Sequence, residues 1–175
     1  FDAAEGALQD ALALSTGADV AGGAAHARHV LGRLAEARKQ WDAALAAYGV
    51  ALEGWQQLGA LAESIEVLAG LARVALAQGY MAEARAMIDR VLEHLGEYGP
   101  ARLDEPLRVY WSIYQVLHVA REEDNAREIL RAAHRLLERQ AAGLSDDQRA
   151  RFITAVSTNR AIREAWEHMD SRRQG

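Results

Sequence analysis

The sequence predicts an all-helical chain of antiparallel helix hairpins, and three observations carry that prediction. Alanine fills about a fifth of the 175 positions, while there are only 2 prolines. Ala costs least and Pro most in a helix interior. Apolar residues recur at spacings of three, four and seven, which places them on one helical face. The same face returns after roughly 40 residues, and does so repeatedly, as expected of a repeat architecture.

The second helix of each hairpin is the easier one to align. Trp41-Asp42-Ala43-Ala44 through Tyr48 is matched by Met81-Ala82-Glu83-Ala84 through Ile88, by Phe1 through Leu8, and by Glu123 through Leu130. An alanine stands in one column (Ala4, Ala44, Ala84, Ala126). A larger side chain follows four residues on (Leu8, Tyr48, Ile88, Leu130). A third column holds Ala11, Ala51, Val91 and Ala133. The first helix of each hairpin is carried by Val30–Ala35, Gly70–Ala75 and Ser112–Leu117, with turns near Lys39-Gln40, Gln78-Gly79 and Arg121-Glu122. Small residues at Gly32 and Ala72 are expected to face the alanine column and let the helices approach closely. A single hairpin cannot bury both faces, so stacked neighbours must complete the core.

The remaining signals set boundaries. Phe1 falls at the start of a second helix, so a half repeat over 1–17 is expected, in a piece of a longer chain. Gly17 ends it and Asp19 is a candidate cap for the next helix. Repeats then span about 19–58, 59–99 and 101–142. Gly96, Gly99 and Pro100 mark the longest break, and Pro106 suits a first helical turn, where no amide partner is needed. Gly143 is a helix stop. Ser145 and Gln148 have capping-box spacing and open a short helix to about Ser157. Asn159 is expected to cap a last helix bearing Ile162, Trp166 and Met169 on one face. Residues 143–175 are thus expected to form two C-terminal capping helices over the final hairpin.

The pattern Leu31-Gly32, Trp41, Ala44, Tyr48, Ala51-Leu52, followed by Leu71-Ala72, Gly79, Ala84, Ile88 and Val91-Leu92, resembles a tetratricopeptide (TPR) repeat. The third copy departs from it at Tyr114, Arg121 and His134. The resemblance covers residues 1–142 and is similar to the long-helix repeats of large multidomain bacterial proteins: signalling ATPases, transcription activators and cyclase-associated proteins. It implies a right-handed TPR-like superhelix that acts as a protein- or peptide-binding scaffold, the sensor or interaction region of a larger bacterial regulatory protein. The alternative is a small-molecule effector sensor that controls an upstream ATPase or cyclase domain.

Composition narrows the chemistry. With no cysteine there is no disulfide, thiolate zinc site or cysteine nucleophile, and a reducing, cytoplasmic setting is expected. A net charge of −5 argues against nucleic acid as partner, and the short apolar runs argue against a membrane span. No phosphate loop or nucleophile elbow occurs, so neither enzyme activity nor a cofactor is expected. His26 and His29 are spaced for a metal, but no second His-rich segment supports one, and none is expected.

By the register of the resemblance, the exposed positions of the first helices line a concave groove. They fall on His26, His29, Arg33 and Glu36, then on Glu66, Ala69, Arg73 and Leu76, then on Arg108, Trp111, Gln115 and His118. The partner-binding candidates among them are His29, Arg33, Glu36, Glu66, Arg73, Arg108, Trp111, Gln115 and His118. Arg33 and Arg73 share a column, and guanidiniums beside His and Trp suit a carboxylate, a phosphate or an acidic peptide. The bland alternative is a solvated groove with Arg33–Glu36 and Arg73–Glu66 pairs. The partner is expected to be a protein or peptide, or a neighbouring domain of the same chain. An exposed N-terminal helix also offers a surface for a homodimer. Arg127, Arg131, Arg135 and Arg139 are expected to be paired surface charges among Glu123, Asp124, Glu128 and Glu138. His134 is expected in the core beside the terminal helices, and Trp41 as an aromatic wedge between repeats.

Overall fold

The computed structural model describes residue 6 and residues 18–174. The positions Ala4, Leu8, Ala11 and Gly17, and the half repeat to which they belong, lie outside the described residues. Among the described residues the fold is all-helical, with no strand and eight helices: α1 (Ala18–Ala37), α2 (Trp41–Gln57), α3 (Leu61–Ala77), α4 (Met81–Tyr98), α5 (Pro106–Val119), α6 (Glu123–Ala141), α7 (Asp146–Ala155) and α8 (Ser157–Gln174). None of these is long and apolar enough to cross a membrane.

The turns explain why the helices stop where they do. Lys39, Gly59 and Gly79 all have positive φ, 20 residues apart, and Arg121 repeats the geometry between α5 and α6. At each the backbone closes in the same way. The N–H of Lys39 donates to the Glu36 carbonyl at 2.9 Å and that of Gln40 to Ala35 at 2.9 Å. Gly59 and Ala60, Gly79 and Tyr80, and Arg121 and Glu122 form the equivalent bonds. This is the Schellman closure, in which a left-handed residue lets the chain satisfy the last helical carbonyls. The periodic unit is therefore one helix plus one turn, and two such units make the 40-residue hairpin seen in the sequence. Lys39 and Arg121 adopt, with φ of 59° and 61°, a backbone conformation that suits glycine better. Lys39→Gly and Arg121→Gly should each stabilise the chain by about 0.5 kcal/mol, after the greater freedom of glycine in the unfolded chain is offset. Urea denaturation checks this, and a lower midpoint in both variants would contradict it.

Contacts divide the chain into two compact units, one through Asp104 and one from Glu105. In the first unit α1 packs on α2, α2 on α3 and α3 on α4, and α1 also touches α3. The three repeat columns point inward: Ala44, Tyr48, Ala51, Ala84, Ile88 and Val91 are all fully buried. Helix α3 is buried nearly all round, from Ser64 to Ala72 and again at Val74 and Ala75, as an apolar helix packed between others must be. Its Ser64 hydroxyl is satisfied by donating to the Ala60 carbonyl at 2.8 Å. Trp41 is half-buried and lies against the edge of the core around Tyr48, whereas Trp55 is buried within it.

The residue nearest Gly32 is not in the alanine column. Gly32 meets the Tyr48 ring, so closely that a Cβ on Gly32 would lie 2.5 Å from Tyr48 Cδ1. Gly70 borders the same ring, where a Cβ would lie 2.8 Å from Cζ. Tyr48 is thus a knob held between two glycines, one on α1 and one on α3. Two further expectations are corrected. Asp19 lies inside α1 rather than ahead of it. Gly96 lies within α4, and the break begins at Gly99, whose φ is 67°.

In the second unit α5 packs on α6, α8 packs on both, and α7 packs on α8 and α6. Pro106 occupies the first turn of α5. The columns are again buried at Ala126, Leu130 and Ala133, the last two packing with Leu137 and, from α8, Ile162. Half-buried Trp166 and Met169 complete the apolar face of α8. Ser145 and Gln148 form the capping box of α7, with the Ser145 N–H donating to Gln148 Oε1 at 3.1 Å. Asn159 does not cap α8, which starts earlier at Ser157. It is buried, and its side-chain amide donates to the Phe152 carbonyl at 2.9 Å, tying α7 to α8.

Candidate functional site

Within the first unit the candidate row is largely turned to structural contact. His29 is buried with its ring 5.8 Å from that of Tyr48. Arg33 is half-buried, and Glu66 is buried at 9% exposure. Arg73 and Glu36 meet across 37 residues of sequence. Arg73 Nε donates to Glu36 Oε1 at 2.6 Å and a terminal guanidinium nitrogen to Oε2 at 2.7 Å. The Tyr48 hydroxyl donates to the same Oε2 at 2.6 Å. Another guanidinium nitrogen donates to the Ala69 carbonyl at 3.3 Å.

The geometry is a two-point Arg–carboxylate fork, the strongest form of such a pair. The two side chains are only 12% and 15% exposed. Burial opposes the charge on Arg73, but hydrogen bonding and attraction from Glu36, then Tyr48, outweigh it and hold the guanidinium above its ordinary pKa. One residue from each of α1, α2 and α3 therefore meets at this network, on the tyrosine that the two glycines grip. Sequence reasoning placed Glu36 and Arg73 on the same wall but had no signal that they would close on each other.

In the second unit Trp111, Tyr114 and His118 form a stacked ladder along α5, with ring centroids 5.1 Å and 5.5 Å apart. Trp111 packs against the core, while Arg108 and Gln115 are half-buried. The Gln115 Oε1 atom is buried without a hydrogen-bond partner among the described residues. His118 is exposed, and its Nδ1 lies 3.8 Å from Glu123.

His118 also stands at the edge of a groove of about 560 Å³ between α5, α6 and α8. Its apolar part comes from Tyr114, Ala126, Leu130, Ala165 and Met169. Ala126 and Leu130 are buried and the other three half-buried, so these residues form a floor. Its polar part comes from His118, Glu123, Arg127, Arg131 and His168, which are exposed apart from half-buried Arg131. Arg127 lies 3.2 Å from Asp124. The arginine ladder is thus divided: Arg127 and Arg131 border the groove, while Arg135 and Arg139 lie near Tyr110, whose hydroxyl is pushed up by burial and partly drawn back by those two cations.

The floor is continuous with the core through α8. There His134 stacks on Trp166 with centroids 4.5 Å apart. Burial lowers the pKa of His134, with Glu138 and Glu167 offsetting part of that shift. His134 is therefore a packing side chain beside the terminal helices. Of the groove residues, Ala165 and His168 were not named from the sequence, and His118 alone was placed at a binding surface. Arg131 was visible in the ladder, and Met169 in the apolar face of α8. Their convergence depends on how α8 docks.

Among the described residues no group of three or more His, Asp and Glu side chains is placed to hold a metal ion. Comparison with protein-family models, with curated proteins and with solved structures finds no match to this chain.

Proposed function

We propose that this chain is a TPR-like binding module, the interaction region of a larger regulatory protein, that captures a segment of a partner protein and catalyses no reaction. The repeated helix-plus-turn unit and the buried alanine, large and small columns support the TPR-like reading. The observation that carries the function is the groove between α5, α6 and α8, where an apolar floor is bordered by charged and imidazole side chains. Helix-lined grooves of this composition suit amphipathic segments, with apolar anchors in the floor and polar contacts at the edge. On this reading His118 and Trp111 serve recognition, directly and through the aromatic ladder, while Glu36 and Arg73 serve the scaffold.

A second reading has one observation in its favour. The groove volume lies within the range of small-molecule sites, roughly 300–1,000 Å³, which suits an effector that biases a neighbouring domain.

The test is to close the groove. Ala165 is half-buried on its floor, and Ala165→Trp should fill it. Random peptides of about 16 residues displayed on phage, about the length of a groove-binding helix, are selected on the native chain. The clones recovered should fail to bind Ala165→Trp. Clones that bind both proteins equally would place capture elsewhere and overturn the assignment.

A further inference from the structure

The groove's own charges narrow what it takes, given the reading above that it captures a protein segment. Arg127 and Arg131 lie one turn apart on α6, so their side chains project from the same side of that helix. Both border the groove. The Asp124 carboxylate beside Arg127 is 96% exposed, and such a pair holds its cation weakly and exchanges readily. Arg131 makes no ion pair among the described residues. Facing them, α5 supplies His118, and α8 supplies His168, whose Nδ1 lies 2.9 Å from the Glu164 carbonyl. Among the described residues that line the groove, Glu123 is the one carboxylate. The chain as a whole carries −5, so this cationic edge runs against the surrounding charge.

From this juxtaposition we infer that the groove binds an acidic, amphipathic helical segment of a partner protein. Two carboxylates of the segment, one turn apart, meet Arg127 and Arg131, and one large apolar side chain enters the floor. The match is one of spacing as well as sign: carboxylates at i and i+4 on a helix have the same separation as the two arginines. Guanidinium–carboxylate bonds add direction to the attraction. The floor suits a single bulky anchor, because Met169 is an adaptable side chain that moulds to irregular shapes and Leu130 and Ala165 supply the apolar surface around it. A basic segment would be repelled by the same pair of arginines.

The experiment uses the intact chain and two blocked helical peptides of about 16 residues, each with a central Phe. One carries Glu at i and i+4 with the Phe at i+3, which puts the ring beside the two carboxylates; the other carries Lys at the same positions. Calorimetry should give the acidic peptide at least a tenfold tighter Kd than the basic one. The acidic complex should weaken severalfold between about 50 mM and 300 mM NaCl as the charges are screened. Arg127→Glu with Arg131→Glu should lower its affinity at least tenfold and leave the urea midpoint in place. Arg90→Glu, an exposed change on α4, should do nothing to binding.

Acidic and basic peptides that bind equally, and are both lost in Ala165→Trp, would overturn the charge inference and leave the groove assignment standing. No binding by the acidic peptide overturns the inference outright. Acidic-peptide binding that persists in Ala165→Trp would overturn the groove assignment with it. A poly-dT oligonucleotide that displaces the acidic peptide would mean the edge answers to phosphate, and would equally overturn the proposal.

Discussion

Arg73→Met is expected to lower the unfolding free energy by about 3 kcal/mol, the low end of what breaking a buried ion pair costs. The methionine replaces the apolar stem, so the loss isolates the charge. What remains is the Glu36 carboxylate, 15% exposed, with its fork of guanidinium hydrogen bonds gone. Tyr48 still donates to it, but one neutral hydroxyl does not replace a cation. Adding Glu36→Gln should recover most of the loss, because the Gln oxygen accepts the Tyr48 hydroxyl without a charge to compensate. The double variant is thus predicted to be more stable than Arg73→Met alone. A double variant as unstable as the sum of the two single changes would show that the residues act independently and would contradict the network.

The second large effect is steric. Gly32→Ala should cost about 2 kcal/mol in spite of alanine's better helix propensity, worth about 1 kcal/mol in the other direction. The new methyl would stand 2.5 Å from a ring that is fully buried and has Gly70 against it. The hydroxyl end of that ring is bonded to Glu36, so it has no free direction in which to yield. Gly70→Ala should cost less, since its nearest approach is 2.8 Å. Gly49 is the internal control. It lies inside α2 with nothing within 4 Å of a Cβ, so Gly49→Ala should stabilise the chain. Combining Gly32→Ala with Tyr48→Leu should abolish the penalty of the alanine, measured against Tyr48→Leu alone. Thermal and urea unfolding read all five variants, and a Gly32→Ala chain as stable as Gly49→Ala would sink the clamp.

Much of the fold was legible because it rests on local chemistry. The alanine, large and small columns are set by helical periodicity, and each described member is buried. The turns were visible near Lys39, Gly79 and Arg121, where the structure closes with one repeated pair of backbone bonds. What the periodicity does not hold is the phase of one helix against another. It says that Gly32 faces inward, but the residue opposite depends on the crossing of α1 and α2. That residue is Tyr48, not an alanine.

Asn159 shows the same limit at an end. Its amide can cap a helix or join two, and the choice follows from where the α7 carbonyl of Phe152 comes to lie. The candidate site was half-legible for a related reason. Trp111 and His118 share one face of α5, as their spacing implies. The contribution of α8 depends on its docking, and docking leaves no periodic trace. Polar residues in a concave register also say nothing of whether they meet a ligand or each other, and Arg73 and Glu36 meet each other.

In the proposed division of labour the Glu36–Tyr48–Arg73 network holds the helices together, and the Arg127–Arg131 edge meets the partner. The most direct measurement takes stability and acidic-peptide affinity together on two double variants. Arg127→Glu with Arg131→Glu should keep the urea midpoint and lose at least tenfold in affinity. Glu36→Gln with Arg73→Met should lower the midpoint only by the part of the loss that the paired change does not recover and, while folded, bind the peptide as the native chain does. Loss of affinity in the Glu36–Arg73 variant with retention in the Arg127–Arg131 variant would contradict it.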